Sequence, residues 1–170
     1  MKKIIQGLTV ATLLVGSSAF AGNGFLSVGY ADVAREGGES QTGVSLNLGA
    51  KFGKSFKQRF GMEYIFVNSD DNGQATVGNS IDFYYTLGYE VYKDFTVGAN
   101  VGYGFESIDT IGSGSNQVDV YASGLSYGAT LTYEISRHFE AIAEYKKYDL
   151  DYEGISFAKD VTTVSLGYVF

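Results

Sequence analysis

Residues 95–105 read FTVGANVGYGF, and their pattern indicates the fold class. Apolar and aromatic side chains occupy every second position, and the positions between them carry threonine, glycine and asparagine. A period of two is that of a β-strand, because successive side chains of a strand point to opposite faces of the sheet. The stretch therefore predicts a strand with one apolar face and one small, polar face.

Seven further segments repeat this alternation, which makes eight predicted strands. Their apolar positions run from Leu26 to Tyr30, Val44 to Phe52, Phe60 to Phe66, Ile81 to Tyr89, Leu125 to Tyr133, Phe139 to Tyr145 and Val164 to Phe170. The chain contains no proline, which suits central strands whose every N–H must join the ladder. Each segment is close to the 9–11 residues that a tilted membrane-spanning strand needs.

The connections between the predicted strands alternate in length. Long polar connections are predicted at about 33–42, 68–79, 107–119 and 149–160, and short ones around Lys54, Lys93 and Arg137. Since Val91 and Phe95 must share a face, as must Ile135 and Phe139, two short connections are predicted as the three-residue loops 92–94 and 136–138. Short turns at one rim and long loops at the other are typical of bacterial outer-membrane barrels.

The heights of the aromatic residues indicate which face is outside. Alternation alone also fits a soluble lipocalin-like barrel with its apolar face inward. Here the apolar face predicts two aromatic belts around an aliphatic middle, as expected for rings at two lipid–water interfaces. The predicted short-turn belt is Phe25, Phe52, Phe60, Tyr89, Phe95, Tyr133, Phe139, Tyr168 and Phe170, and the predicted loop-side belt is Tyr30, Phe66, Phe83, Tyr103, Phe105 and Tyr145. We therefore predict an all-β fold, an eight-stranded antiparallel up-and-down transmembrane β-barrel.

The polar face is then the lumen, and its charges form the candidate site. The predicted lumen charge network consists of Lys51, Arg59, Glu63, Glu90, Glu134, Glu140, Glu144 and Lys146. Such charges are costly in hydrocarbon but can pair inside a closed barrel. Because a guanidinium can bind two carboxylates at once, Arg59 is expected to be the main cation of a network that blocks the lumen.

The first 21 residues are predicted to be a cleaved signal peptide, which leaves residues 22–170 as the barrel domain. Lys2 and Lys3 precede an apolar run, and Ala19 and Ala21 fit the small-x-small pattern of a cleavage site. The run is shorter than the roughly 18 residues of a spanning helix. Loss of both lysines leaves 10 basic against 19 acidic residues, a charge of −9, which gives no electrostatic footprint for nucleic acid.

No catalytic, cofactor or metal site is predicted. The chain has no cysteine, and His138, its one histidine, lies in a predicted short turn with Ser136 as the nearest small hydroxyl. The run Asp70-Asp71-Asn72-Gly73 lacks EF-hand spacing, so it is interpreted as a solvated loop tip. The acids Asp149, Asp151 and Glu153 are read in the same way, with divalent cations shared with lipopolysaccharide phosphates as the alternative.

With four hairpins and a terminal aromatic residue, residues 22–170 resemble the small outer-membrane proteins of the OmpX, opacity-protein and OmpA-barrel type. Thr163, Tyr168 and Phe170 match that family's C-terminal insertion signal, while Ser165 stands where glycine is usual. The resemblance implies assembly by the barrel-assembly machinery into the outer membrane of a Gram-negative bacterium, in contact with lipid and lipopolysaccharide. We expect a monomer.

Two classes of function remain open at this point. The first is a structural or surface-interaction protein whose long loops meet an extracellular ligand, lipopolysaccharide or matrix. The second is a narrow channel through a glycine-lined lumen. A lipid-modifying enzyme is a distant third, because the histidine and serine that such barrels place near the outer rim are not visible in this sequence.

Overall fold

The computed structural model describes residues 24–35, 40–67, 79–109 and 119–170. They form eight strands: β1 Gly24–Arg35, β2 Gln41–Phe52, β3 Phe56–Val67, β4 Ser80–Tyr92, β5 Phe95–Asp109, β6 Asp119–Glu134, β7 Phe139–Tyr152 and β8 Ile155–Val169. The predicted signal peptide and the Asp70-Asp71-Asn72-Gly73 loop tip lie outside the described residues. No helix in the described part of the chain is long and apolar enough to cross a membrane.

The strands form one closed barrel in chain order, and every pair of neighbours is antiparallel. Closure joins β1 to β8 over a ladder that runs from Phe25 opposite Val169 to Arg35 opposite Lys159. Because each strand has two partners, no strand is left as an edge along the wall of the barrel. The predicted eight-stranded antiparallel barrel is confirmed.

The apolar face points outward, as the aromatic belts predict. Large apolar side chains on the outer wall are exposed in every strand, among them Val28, Val44, Phe60, Leu87, Val101, Leu131, Tyr145 and Leu166. The predicted belt residues other than Phe25 are all exposed as well. A water-soluble surface of this composition would be an aggregation hazard, whereas hydrocarbon solvates it.

Phe25 is the exception, and its place in the predicted short-turn belt is wrong. The strand alternates, so Phe25 cannot share a face with its neighbour Leu26, which is 43% exposed. Phe25 is only 2% exposed and lies inside the barrel, where the guanidinium carbon of Arg59 stands 5.3 Å from its ring centre. The terminal strand thus contributes an aromatic ring to the lumen rather than to the lipid surface.

The predicted long loop at 149–160 is also wrong, because a two-residue turn joins β7 to β8. Glu153 and Gly154 have φ of 50° and 84°, the positive values that a type I′ hairpin requires at both central positions. Alternation continues to the turn: Leu150 is buried, while Asp149 and Asp151 are exposed on the outer face. The polar residues that predict a loop here belong to strands that extend beyond the lipid region.

The short connections keep the predicted faces but differ from the prediction in length. Four residues, 135–138, separate β6 from β7 instead of the predicted three, 136–138, and a bond from Ser136 N to the Phe139 carbonyl at 3.0 Å closes this connection. Between β4 and β5, Tyr92 pairs directly with Phe95, so the turn contains two residues, 93–94, instead of the predicted three. The pairing of β4 with β5 shifts by one residue between Glu90 and Tyr92. This irregularity absorbs the extra residue, and Val91 and Phe95 are both exposed, as predicted.

Candidate functional site

Charged side chains cross the lumen at three levels, which we name by their distance from the short turns. The short-turn cluster contains Lys51, Lys57, Arg59, Glu90, Glu134 and Glu140; the central cluster contains Glu63, Asp82, Glu144 and Lys146; and the loop-side cluster contains Arg35, Glu106 and Lys159. All eight residues of the predicted network therefore take part in ion pairs, divided between the first two clusters.

The short-turn cluster joins two walls of opposite charge. Lys51 and Arg59 are direct neighbours across β2 and β3, and Glu134 and Glu140 are direct neighbours across β6 and β7. Like charges side by side would destabilise a sheet. Here each pair faces the other: Lys51 Nζ lies 2.7 Å from Glu134 and 3.0 Å from Glu140, and Arg59 Nη2 lies 2.8 Å from Glu140.

Burial within the short-turn cluster increases away from the rim. The Glu90 side chain is 38% exposed and contacts Lys57 at 3.6 Å, whereas Arg59 and Glu140 are both buried. Exposed pairs of this kind contribute little because water screens them. The bond between Arg59 and Glu140 is the deep contact of this level, but Arg59 meets only one carboxylate. The expectation that Arg59 is the main cation of the lumen is therefore wrong.

Lys146 takes that role in the central cluster. Its Nζ lies 2.7 Å from Glu63, 3.0 Å from Asp82 and 2.8 Å from Glu144. The ammonium group also stands 4.2 Å from the ring centre of Tyr84, so that a π-face covers it. Lys146 is almost completely buried, and its three carboxylate neighbours are buried as well.

Hydroxyl groups hold the carboxylates of the central cluster in place. Ser45 donates to Glu63 at 2.6 Å, and Ser126 donates to Asp82 at 2.8 Å. The Tyr148 hydroxyl lies 3.4 Å from the other oxygen of Asp82. One ammonium faces three carboxylates here, so the level is rich in negative charge, and the hydroxyls supply the additional donors that buried carboxylates need.

In the loop-side cluster the excess charge is positive, because two cations surround one carboxylate. Arg35 and Lys159 are direct neighbours across β1 and β8, and both contact Glu106, which reaches them from β5. The separation between Lys159 Nζ and Glu106 is 2.8 Å. Lys159 also lies 4.5 Å from the ring centre of Tyr148. Over the three clusters six cations meet seven carboxylates, so their charges almost cancel.

An apolar layer fills the loop-side half of the lumen, at the level of the loop-side cluster. It is a buried cluster of Ala31, Val33, Ile65, Ala122, Tyr148, Leu150 and Val161, with Val67, Tyr152 and Phe157 packed against it. Ion pairs in a low-dielectric surrounding are strengthened because water is kept away. The apolar layer therefore surrounds the loop-side cluster and keeps water from its ion pairs.

Glycines make room for the two tyrosines that cross the lumen. A Cβ on Gly104 would stand 2.9 Å from ring carbons of Tyr148, and one on Gly61 would stand 2.8 Å from the Tyr84 hydroxyl. Both separations are shorter than side chains tolerate, so these glycines are needed for close approach. The small residues of the polar face thus accommodate large neighbours rather than leaving a glycine-lined passage at these levels.

The prediction missed five charged residues of the lumen. Asp82 and Glu106 lie at inward positions by alternation, so the parity of their strands was a sufficient signal for both. Lys57 lies just before the predicted third strand, whose apolar positions begin at Phe60. Arg35 and Lys159 fell within the predicted long loops, and only the longer strands of the structure bring them into the wall.

The residues of the predicted insertion signal lie on both faces of β8. Thr163 is buried in the lumen, and Tyr168 and Phe170 are exposed on the outer wall. The Tyr168 ring packs edge-on against Phe139 and Phe170, with both pairs of ring centres 5.3 Å apart. The end of the chain is thereby joined to the short-turn belt.

His138 contacts the C-terminal residues at the short-turn end of the barrel. Its Nδ1 lies 2.9 Å from the Val169 carbonyl oxygen, and its ring is stacked on Tyr168. Ser136 Oγ instead accepts hydrogen bonds from the backbone N–H groups of the turn, at 3.4 Å and 3.2 Å. This arrangement does not activate the serine. Within the residues that the structure describes, no group of three or more histidine, cysteine, aspartate or glutamate side chains is arranged so that it could hold a metal ion.

The fold and the filled lumen define a class: an eight-stranded barrel made to stand in a lipid bilayer. The chain matches the family described as outer membrane protein beta-barrel domain over residues 8–170. It therefore belongs to that family, and it is an outer-membrane protein of the Gram-negative type. The predicted family resemblance and location are confirmed.

Solved structures agree with this assignment at the level of the fold. Ail of Yersinia pestis, in complex with the heparin analogue sucrose octasulfate, has a TM-score of 0.59 at 16% identity, covering 88% of this chain and 99% of Ail. The N-terminal β-barrel domain of Pseudomonas aeruginosa OprF gives 0.54 at 17% identity over 87% and 98% of the two chains. Neisserial surface protein A gives 0.53 at 12% identity over 86% and 96%. No curated protein matches the chain in sequence.

Proposed function

We propose that this protein is a non-catalytic surface-interaction barrel that meets its partner through the long connections outside the membrane. One observation carries the proposal: ion pairs join opposite walls of the lumen at three levels, and an apolar cluster packs around the pairs of the loop-side level. An eight-stranded barrel is only wide enough for its own side chains. A lumen filled in this way supports a role for the outer surface rather than for transport through the barrel.

The long connections favour a neutral or basic partner. The segments 36–40, 68–79 and 110–118 carry the four acids Glu36, Glu39, Asp70 and Asp71 and contain no lysine or arginine. Charge complementarity steers association and excludes partners of like charge. A sulfated polysaccharide, of the kind that the heparin analogue bound to Ail represents, is therefore an unfavourable partner for these segments.

The experiment replaces segments 36–40, 68–79 and 110–118 with Gly–Ser sequences of equal length. Proteoliposomes that carry either form are incubated with labelled basic, neutral and acidic extracellular proteins and with heparin. We expect the unaltered protein to bind from the neutral or basic part of the panel and the replaced form to lose that binding. Binding that survives all three replacements, or preferential binding of heparin, would refute the proposal.

Three further expectations belong to the same proposal. Residues 1–21 act as a signal peptide that is removed at Ala21, and the mature barrel stands in the membrane as a monomer. Its insertion proceeds through the barrel-assembly machinery, guided by the C-terminal residues. The family membership and the aromatic terminus of β8 support these expectations.

A further inference from the structure

We propose that the central cluster binds one proton: at neutral pH the side chain of Glu144 is a neutral carboxylic acid in the folded barrel. With every group ionised, the short-turn cluster would be neutral and the loop-side cluster would carry one positive charge. The central cluster would carry two negative charges, because one ammonium group faces three carboxylates. One negative charge would therefore remain in excess in the described part of the lumen.

The excess charge would lie where an ionised group is most costly. Glu63, Asp82 and Glu144 are all buried, and the most exposed of them, Glu144, is only 7% exposed. Each places an oxygen within 3.0 Å of Lys146 Nζ, so these oxygens are no more than about 6 Å apart. Burial disfavours an ionised carboxyl group, and so does a second carboxylate at this distance. Both effects favour the binding of a proton by one of the three groups.

The surroundings of Glu144 supply no second positive charge within the described lumen. Its direct cross-strand neighbours are uncharged, Thr130 on β6 and Thr163 on β8. The other titratable groups around the cluster are two phenols and, at the adjacent levels, cations that already have carboxylate partners: Tyr84, Tyr148, Lys51 and Arg59 with Glu140, and Lys159 with Glu106. Compensation of the three carboxylates is thus left to Lys146.

Hydrogen-bond donors indicate which carboxyl group holds the proton. Ser45 donates to Glu63 at 2.6 Å, and Ser126 donates to Asp82 at 2.8 Å. Such bonds favour the ionised form of a carboxyl group. Glu144 Oε1 has Lys146 Nζ at 2.8 Å but no hydroxyl donor among the described residues. Glu144 is therefore the least stabilised as a carboxylate, and the proton is assigned to it.

Proton binding at Glu144 links the stability of the barrel to pH. A glutamate of the unfolded chain is ionised at neutral pH, so folding takes up one proton. Because the folded state then holds one proton more than the unfolded state, a rise in pH favours unfolding. The equilibrium constant of unfolding increases about tenfold per pH unit on account of this group. The stabilisation is lost as the pH rises to the value at which the folded cluster releases its proton.

Infrared spectroscopy tests for the proton directly. A protonated carboxyl group has a C=O stretching band that carboxylates lack, and a detergent without ester groups keeps that region clear. We expect the band in the folded wild type at neutral pH and its loss in Glu144→Gln, which replaces the acid with a neutral amide of similar shape. The matched control Glu134→Gln removes a carboxylate held by Lys51 at 2.7 Å and should leave the band unchanged. Absence of the band from the wild type, or its persistence in Glu144→Gln, would overturn the proposal.

Unfolding at several pH values tests the same site independently. Urea titrations of liposome-inserted wild type and Glu144→Gln are compared between about pH 6 and pH 8, and the other titrating groups cancel in the ratio of the two unfolding constants. That ratio, wild type over variant, should rise about tenfold per pH unit until the folded cluster releases its proton. A ratio that is constant over the whole range, or that falls, would show that Glu144 is ionised in the folded barrel and would contradict the proposal.

Discussion

Lys146 is the residue on which the interior of the barrel depends. Three buried carboxylates surround its ammonium group, and no second cation of the described lumen contacts Glu63, Asp82 or Glu144 within 4 Å. Removing one partner of a buried charge pair costs about 3–5 kcal/mol, because an uncompensated charge is left in a poor solvent. The stability of the central cluster should therefore respond to this one side chain more than to any other.

Lys146→Met is expected to lower the free energy of unfolding by about 3–5 kcal/mol in urea titrations of liposome-inserted protein at neutral pH. Arg59→Ala should cost less, because Glu140 keeps Lys51 at 3.0 Å. Lys147→Met is the matched control: its side chain lies on the outer wall, one position further along β7, and the change should be small. Equal midpoints for the variants at 146 and 147 would contradict the role given to the central cluster.

Alternation in the sequence predicts which charged residues face inward, but it does not predict which of them meet. Glu63 and Lys146 are 83 residues apart, and their contact depends on how the barrel is staggered when it closes. The same stagger separates Arg59 from a second carboxylate, which is why the choice of Arg59 as the main cation failed. Which residues pair across the lumen depends on how the barrel closes, so the pattern of a single strand does not predict the pairs.

At the scale of elements, the β7–β8 hairpin shows what a composition-based reading of loops misses. Acids at 149, 151 and 153 indicate a solvated loop, yet they alternate with Leu150 and Tyr152, and Gly154 supplies the positive φ that closes the turn. The alternation was the stronger signal, because a strand that extends beyond the lipid can carry polar residues on its outer face. The loops 36–40 and 110–118 are likewise shorter than predicted, because their flanking strands continue.

Two substitutions in the turn test this hairpin. Glu153→Asn places a residue that tolerates positive φ before Gly154 and should raise the urea midpoint, while Gly154→Ala should lower stability by about 1 kcal/mol. A flexible loop would respond to neither change. Opposite shifts are therefore the expected result, and two unchanged midpoints would count against the turn.

The end of β8 is expected to govern assembly. Deletion of Phe170 removes a belt residue, its ring contact with Tyr168 and its backbone bond to the Gly24 carbonyl at 2.9 Å. Inserted protein should fall and periplasmic aggregate should rise, as measured by fractionation. Phe139→Ala is the control, because it removes the other ring contact of Tyr168 and leaves the terminus intact. Normal insertion of the deletion variant would contradict the role assigned to the terminus.

At the scale of the whole molecule, the processed chain is expected to begin at Gly22. N-terminal sequencing of protein from the outer membrane should read Gly-Asn-Gly-Phe. The apolar run before Ala21 is too short for a spanning helix, so it is expected to direct export and then to be removed. Recovery of Met1 in that material would contradict the predicted cleavage.

A closed lumen should carry no current, which single-channel recording in planar bilayers can measure. The walls are joined by Arg59 to Glu140, by Lys146 to Glu63 and by Lys159 to Glu106, and an apolar layer packs around the last of these bridges. The purified wild-type protein, with its loops intact, should show no discrete conductance steps at neutral pH. Stable, ohmic steps from the folded wild-type barrel would contradict the account and establish the lumen as a narrow channel.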